Sequence, residues 1–364
     1  MDNEIYLAPS EQRLLSRFWQ SARGFWGGAS AGWAWLLTAL LITTVLLQLL
    51  TQYWLNYWNR DFFNAVQRKD AAELWAQALR FAPIAAASLA LAVFSVWGRM
   101  TLQRKWREWL SGALYSYWLD KDRYVRLRFM AGEHQAPEYR IAEDARVATD
   151  LPVDLVLGLF SSFLTAITFI GILWVVGGSM TIDMSGLTLT VPGYLVVAVI
   201  VYSIIVAAAM MLIGRRLTHV VEDNKRTEAE LRAIGTHVRE SGEGKALPDD
   251  RKDGLRAIGQ ALRAVIAVWR DYCWQLMRLT VVSHSNSLLK PVVGLLLCMP
   301  KYVAGTMLLG EVTQAAAAFV VVQGACNWFT DSYARLAEWA ASANRVASLL
   351  LALDQVDQSH TTVA

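Results

Sequence analysis

The chain has 364 residues, 55% of them apolar or aromatic and only 18% charged, with sixteen Trp and a mean hydropathy of +0.31. A soluble domain carries about 25% charged residues, and a chain of this size cannot enclose so much apolar surface, so the surplus faces lipid. Three Cys without short spacing exclude a disulfide framework and a zinc site, and a net charge of +3 from 34 basic and 31 acidic residues excludes a nucleic-acid binder.

The N-terminal Met1–Gln20 stretch is polar and mixed in charge, which is not the pattern of a cleavable signal peptide. The first apolar window, Gly24 to Asn59, is free of charge. Its centre, Leu36 to Leu50, lies between Trp33/Trp35 and Tyr53/Trp54/Tyr57/Trp58. Trp35 and Trp54 are 19 residues apart, about 28 Å along a helix, which suits two interfacial aromatic belts. Further spans are predicted at Phe81–Gly98, Leu155–Val176 and Pro192–Gly214, the third entered through Asp150-Leu-Pro-Val-Asp154. A fifth, Val282–Val303, carries Ser283, His284, Asn286 and Lys290, and a sixth, Thr313–Phe329, carries Gln323 and Asn327.

Basic residues set the orientation. Residues 99–154 hold ten Lys/Arg and residues 215–290 hold fourteen of the 34, whereas the stretch joining spans three and four has none. The excess of Lys and Arg places both long segments, and so both termini, on the cytoplasmic side. Their helix-forming composition, as in Glu222 to Arg239, reads as helices running on beyond the bilayer. The expected organisation is a cytoplasmic segment (1–30), a six-helix all-α transmembrane domain (31–350) and a cytoplasmic tail (351–364).

Four stretches carry a family resemblance. Asn56-Tyr-Trp-Asn-Arg-Asp-Phe-Phe-Asn-Ala-Val-Gln-Arg-Lys-Asp70 resembles the segment after span one of peroxisomal-type (subfamily D) ABC transporters and their bacterial relatives. Pro137-Glu-Tyr-Arg-Ile-Ala-Glu-Asp-Ala145 is similar to the "NPDQRI.ED" element of those proteins, departing from it in Ala136-Pro-Glu-Tyr139. Met299-Pro-Lys-Tyr-Val-Ala-Gly305 is similar to their "APRYFAG", and Val322 to Trp339 to their span-six stretch. The order holds from about residue 30 to 350. Within that family the chain resembles the SbmA/BacA-like peptide uptake proteins of the bacterial inner membrane. The resemblance implies a homodimer of six-helix subunits with swapped helices in the exporter-type ABC fold, enclosing a central cavity for peptides or peptide-like compounds.

Energy coupling is the open question at this point. A P-loop needs G-x-x-x-x-G-K-[ST] to wrap and neutralise phosphates, and Arg239-Glu-Ser-Gly-Glu-Gly-Lys-Ala246 lacks both the first Gly and the final hydroxyl. The stretch after span six is too short for a nucleotide-binding domain. The sequence therefore predicts a non-enzymatic, proton-coupled importer without its own ATPase. The alternative is the transmembrane subunit of an ABC transporter with a separate or removed nucleotide-binding partner. Neither cofactor nor metal is expected, since the five His are scattered.

The candidate residues carry two readings each. Glu143 is the leading proton-coupling carboxylate, its pKa raised on approach to a low-dielectric cavity, or else a partner of Arg140 or Arg146 at helical spacing, as is Asp144. Asp150 is a further proton-coupling or cavity candidate, or else it and Asp154, flanking Pro152, are an N-cap and a first-turn charge. Glu228, with Glu230 and Glu240, lines an acidic funnel or a solvated helix face. Asp331, one turn after Asn327, faces a cavity mouth or solvent. His284, Asn286, Lys290 and Asn327 are expected to face the protein interior, because exposing such groups to lipid is costly.

Overall fold

The structure, a computed structural model, describes residues 11–28, 30–127, 136–184, 187–242 and 248–361. The second half of the near-P-loop stretch 239–246 thus lies outside the described residues. Among the described residues, nine α-helices and one two-stranded ribbon follow in order: α1 (Glu11–Gly27), α2 (Ala31–Arg68), α3 (Ala71–Leu119), α4 (Arg123–Arg126), α5 (Pro137–Tyr139), α6 (Ala145–Gly177), β1 (Ser179–Met184), β2 (Leu187–Pro192), α7 (Tyr194–Gly242), α8 (Pro248–Val303) and α9 (Leu309–Thr361). Six of these helices are long and apolar enough to cross a membrane, on α2, α3, α6, α7, α8 and α9. They carry the six predicted spans in order.

The helices far exceed what a bilayer needs. Helices α3 and α7 have 49 residues, α8 has 56 and α9 has 53. At 1.5 Å per residue that is about 73–84 Å, against roughly 30 Å of hydrocarbon. Each therefore continues well past its apolar stretch, as the helix-rich basic segments suggest.

The chain divides into two compact units. One comprises residues up to Ile172 with Met307–Gln314 and Gly324 onward. In it α2 and α3 form a hairpin with almost no connection. Lys69 ends α2 in the left-handed conformation, while Asp70 Oδ1 accepts from the Ala72 and Glu73 N–H groups, 3.1 Å each, and so caps α3. Leu102, Trp106, Leu110 and Leu114 form a stripe at four-residue spacing on α3. That stripe joins Phe18 and Phe25 of α1, Ile141 and Ala148, and Leu349 and Leu353 of α9 in one core.

The second unit comprises Leu173–Thr306 with Ala315–Gln323. Helices α7 and α8 run antiparallel along each other, tied by Tyr194 Oη to the Leu297 carbonyl (3.0 Å) and Tyr202 Oη to Asn286 Oδ1 (3.0 Å). The stretch between spans three and four is more than a plain connection. It forms an antiparallel ribbon, Ser179 opposite Pro192 and Met184 opposite Leu187. Gly178 and Gly193, both at positive φ, close its base through a 2.8 Å bond from the Gly193 N–H to the Gly178 carbonyl. A Cβ on Gly193 would lie 2.4 Å from the Trp174 ring. The ammonium of Lys301 binds the Gly177 carbonyl, an orphan acceptor at the end of α6, and sits 5.4 Å above the Tyr194 ring.

The start of α6 corrects one expectation. Asp150 and Asp154 are neither an N-cap nor a first-turn charge. The helix begins at Pro137, passes through a π-helical turn at Arg140–Asp144 and continues unbroken past Pro152. Proline at the first helical position is tolerated because its N–H is not needed there.

Candidate functional site

A run of charge lies on the π-helical turn and the start of α6, just ahead of the apolar stretch. Glu143, Arg146, Asp150 and Asp154 follow at spacings of three, four and four, which puts them on one face. Polar side chains of α3 and α9 meet this face. Asp154 is saturated: Arg335 Nη2 reaches it at 2.7 Å, Arg99 Nε at 3.3 Å and Gln103 Nε2 at 3.0 Å. Gln103 Nε2 also donates to the Asp150 carbonyl at 2.8 Å, fixing α3 to α6 at this level.

Glu143 takes a two-pronged bond from Arg146, Nη2 to Oε1 at 2.5 Å and Nε to Oε2 at 3.2 Å. The Arg146 guanidinium, bonding and attracting it, holds the Glu143 carboxyl below the usual carboxylate range. That is opposite to the raised pKa the sequence reading expects, because the side chain stays 42% exposed and finds its cation one turn away. Asp144 has a partner the sequence reading does not contain. It is 3% exposed and bound by Arg345 of α9 through Nε (2.9 Å) and Nη2 (2.7 Å), both to Oδ1. Alongside, Arg140 Nη1 donates to Ser348 Oγ at 2.9 Å.

Asp150 differs from both neighbours. Its side chain is 33% exposed, Arg146 Nη1 is 3.8 Å from Oδ2, and no hydrogen bond reaches its carboxylate among the described residues. Burial pushes this carboxyl up, with Asp154 and Glu143 adding to the rise and Arg146 and Arg107 opposing it.

The other predicted residues fall elsewhere. Asp331 is exposed, and Asn327 is half-buried with its Oδ1 lacking a partner among the described residues. Glu228, His284 and Lys290 belong to the second unit, Glu228 and His284 exposed and Lys290 half-buried. In that unit the expectation of inward-facing polar groups on α8 holds for Asn286, whose Oδ1 accepts from Tyr202 and from buried Gln323 Nε2 at 3.3 Å. Among the described residues no group of three or more His, Cys, Asp or Glu side chains is placed to hold a metal ion.

The sequence has counterparts among known proteins. Residues 25–303 match the family described as ABC transporter transmembrane region 2. The chain belongs to that family. Similar proteins include the inner membrane ABC transporter ATP-binding protein YddA of Escherichia coli (strain K12), 28% identical over 346 residues, 92% of this chain and 60% of that protein. An uncharacterized ABC transporter ATP-binding protein of Haemophilus influenzae is 22% identical, over 89% of this chain and 54% of its own length. ABC transporter D family member 2, chloroplastic, of Arabidopsis thaliana is 20% identical, over 92% and 45%. This ABC transporter transmembrane region thus spans about half the length of the curated relatives it matches. The subfamily D relative agrees with the likeness of the Asn56–Asp70 and Pro137–Ala145 stretches.

Proposed function

We propose that this transmembrane region is the membrane pathway of an inner-membrane transporter of the SbmA/BacA type, bringing peptides or peptide-like compounds inward under a proton gradient. The observation that carries the coupling is the incompletely paired carboxylate of Asp150 among arginines, where the helices leave their apolar stretch. One proton moving down about 100 mV supplies roughly 2.3 kcal/mol, enough for about 50-fold accumulation of a neutral substrate. The peptide class rests on the resemblance of the four sequence stretches.

A homodimer is part of this reading. Leu255, Leu262, Ile266 and Trp269 of α8 are exposed at spacings of seven, four and three, forming an apolar stripe beyond the fifth apolar stretch. A second copy of the chain is the occupant that helix swapping would supply. Such a stripe has no reason to face water.

The second reading, a transmembrane part that works with a nucleotide-binding partner or domain, is favoured by the names and lengths of the relatives, which are called ATP-binding and extend beyond the match. One experiment separates the two. In proteoliposomes without ATP, an inward proton gradient is expected to drive uptake of a basic peptide. Uptake indifferent to the gradient, but established by adding an ATPase subunit and ATP, gives the second reading.

The same reading places the basic segments and both termini in the cytoplasm. Cysteines introduced as Asp183→Cys and Gly242→Cys, with Cys273, Cys298 and Cys326 replaced, are expected to react with an impermeant thiol reagent in intact cells at position 183 only. Labelling at 242 inverts the orientation.

A further inference from the structure

Three carboxylates share one face of the π-helical turn and the start of α6, and their partners are unequally divided. Glu143 holds Arg146 by two hydrogen bonds, and Asp154 holds Arg335, Arg99 and Gln103. Each accepts charge-assisted hydrogen bonds from a guanidinium. Asp150, between them, keeps only the flank of an arginine already committed to Glu143. The groups acting on this position come from three directions: Gln103 and Arg107 from α3, Glu143 from the π-helical turn with Arg146 and Asp154 from α6, and Arg335 and Glu338 from α9, these last two through Asp154 and Arg146.

We propose that Asp150 is the carboxylate at which this protein takes up and releases a proton, and that Arg146 is the cation whose sharing between Glu143 and Asp150 sets the proton's affinity. With Asp150 neutral, Arg146 belongs to Glu143 alone, and one negative charge leaves a face that carries three. With Asp150 charged, the guanidinium is pulled toward α6 one turn further on. The two states differ in which turn of α6 the arginine braces, beside the Gln103 and Arg335 contacts that tie α6 to α3 and α9. Protonation is thereby linked to helix contacts at the entrance of an apolar stretch. Partial burial of Asp150 and the like charges of Asp154 and Glu143 both favour the neutral form.

This assignment rests on the proton-coupled reading for its use, but not for its chemistry, so the two are tested separately. Infrared difference spectra of the full chain in lipid, recorded as pH is lowered, are expected to show a carboxylic-acid carbonyl band titrating above the ordinary carboxylate range. Asp150→Asn removes the band and Asp150→Glu retains it. Glu143→Gln moves its midpoint to lower pH, since it frees Arg146 and deletes a like charge, and Arg146→Gln moves it to higher pH. A purely structural Asp150 produces neither opposed shift. A band that persists unchanged in Asp150→Asn overturns the assignment. In proteoliposomes, gradient-driven uptake of a basic peptide is expected to be lost in Asp150→Asn; uptake as steep as the wild type's overturns the coupling role. A wild type that shows the titrating band yet no gradient-driven uptake supports the proton site and overturns the transport reading instead.

Discussion

Arg345→Ala is expected to be among the most destabilising single substitutions in the chain, by about 3 kcal/mol. Asp144 is 3% exposed, and Arg345 supplies both hydrogen bonds to its Oδ1, while Oδ2 has no partner among the described residues. Removing the guanidinium leaves a buried carboxylate with nothing to offset its desolvation. The figure is placed at the low end of the range for a broken buried pair because the Arg345 side chain is itself 49% exposed and screened by solvent. The control is the double variant Asp144→Leu with Arg345→Met, which removes both charges and keeps the packing volume. It should recover most of the loss, because a buried pair exchanged for apolar groups is often neutral. Thermal unfolding of the detergent-purified protein checks the order: wild type close to the double variant, Arg345→Ala well below both. Equal losses for all variants would mean that the contact between the π-helical turn and α9 depends on shape rather than charge.

The second large effect is steric. Gly310, in the first turn of α9, lies against α2 so closely that an added Cβ would be 2.0 Å from the Arg60 carbonyl oxygen and 2.5 Å from Asn64 Oδ1. Its own N–H donates to Asn64 Oδ1 at 2.9 Å, and the Leu309 N–H donates to Gln67 Oε1 at 2.8 Å, so two of the orphan donors of α9 are satisfied from α2. Gly310→Ala must push a backbone carbonyl aside and break these caps together. Overpacking alone costs about 1–3 kcal/mol, and the lost caps bring the total to about 3 kcal/mol or more. Gly324→Ala, on the same helix with nothing within 4 Å of the added Cβ, is the matched control and should gain roughly 0.5–1 kcal/mol. Thermal midpoints moving in opposite directions for the two variants are the expected result. A Gly310→Ala protein as stable as the wild type would show that α2 and α9 do not meet this closely.

Much of this protein is legible from residues alone. The six spans are written in contiguous windows, because the bilayer penalises each polar group where it stands and every backbone group must be satisfied within its own helix. Leu36 to Leu50 between its aromatic belts needs no tertiary information, nor does the continuation of α7 through Glu222 to Arg239. Membership of an ABC transmembrane family is legible in the same way, from stretches such as Asn56–Asp70 kept in order along the chain. The pairing of Glu143 with Arg146 follows from i,i+3 spacing, which any helix enforces. The ribbon of β1 and β2 left a faint mark in the alternation of Leu187-Thr-Leu-Thr-Val191, too short to stand out beside the apolar runs on either side.

What only the tertiary structure decided is which charges are spoken for. Asp144 has a basic neighbour at helical spacing, Arg140 four residues before it, yet it binds Arg345, 201 residues away, because the π-helical turn buries it. Asp154 is claimed by Arg335 from 181 residues away and by Arg99 and Gln103 from α3. Those pairings leave Asp150 as the incompletely partnered carboxylate of the row, a property it does not have by itself. Local spacing determines which groups share a helix face. Which of them keeps a titratable charge depends on the packing of α3, α6 and α9, and packing brings together residues that no local pattern relates.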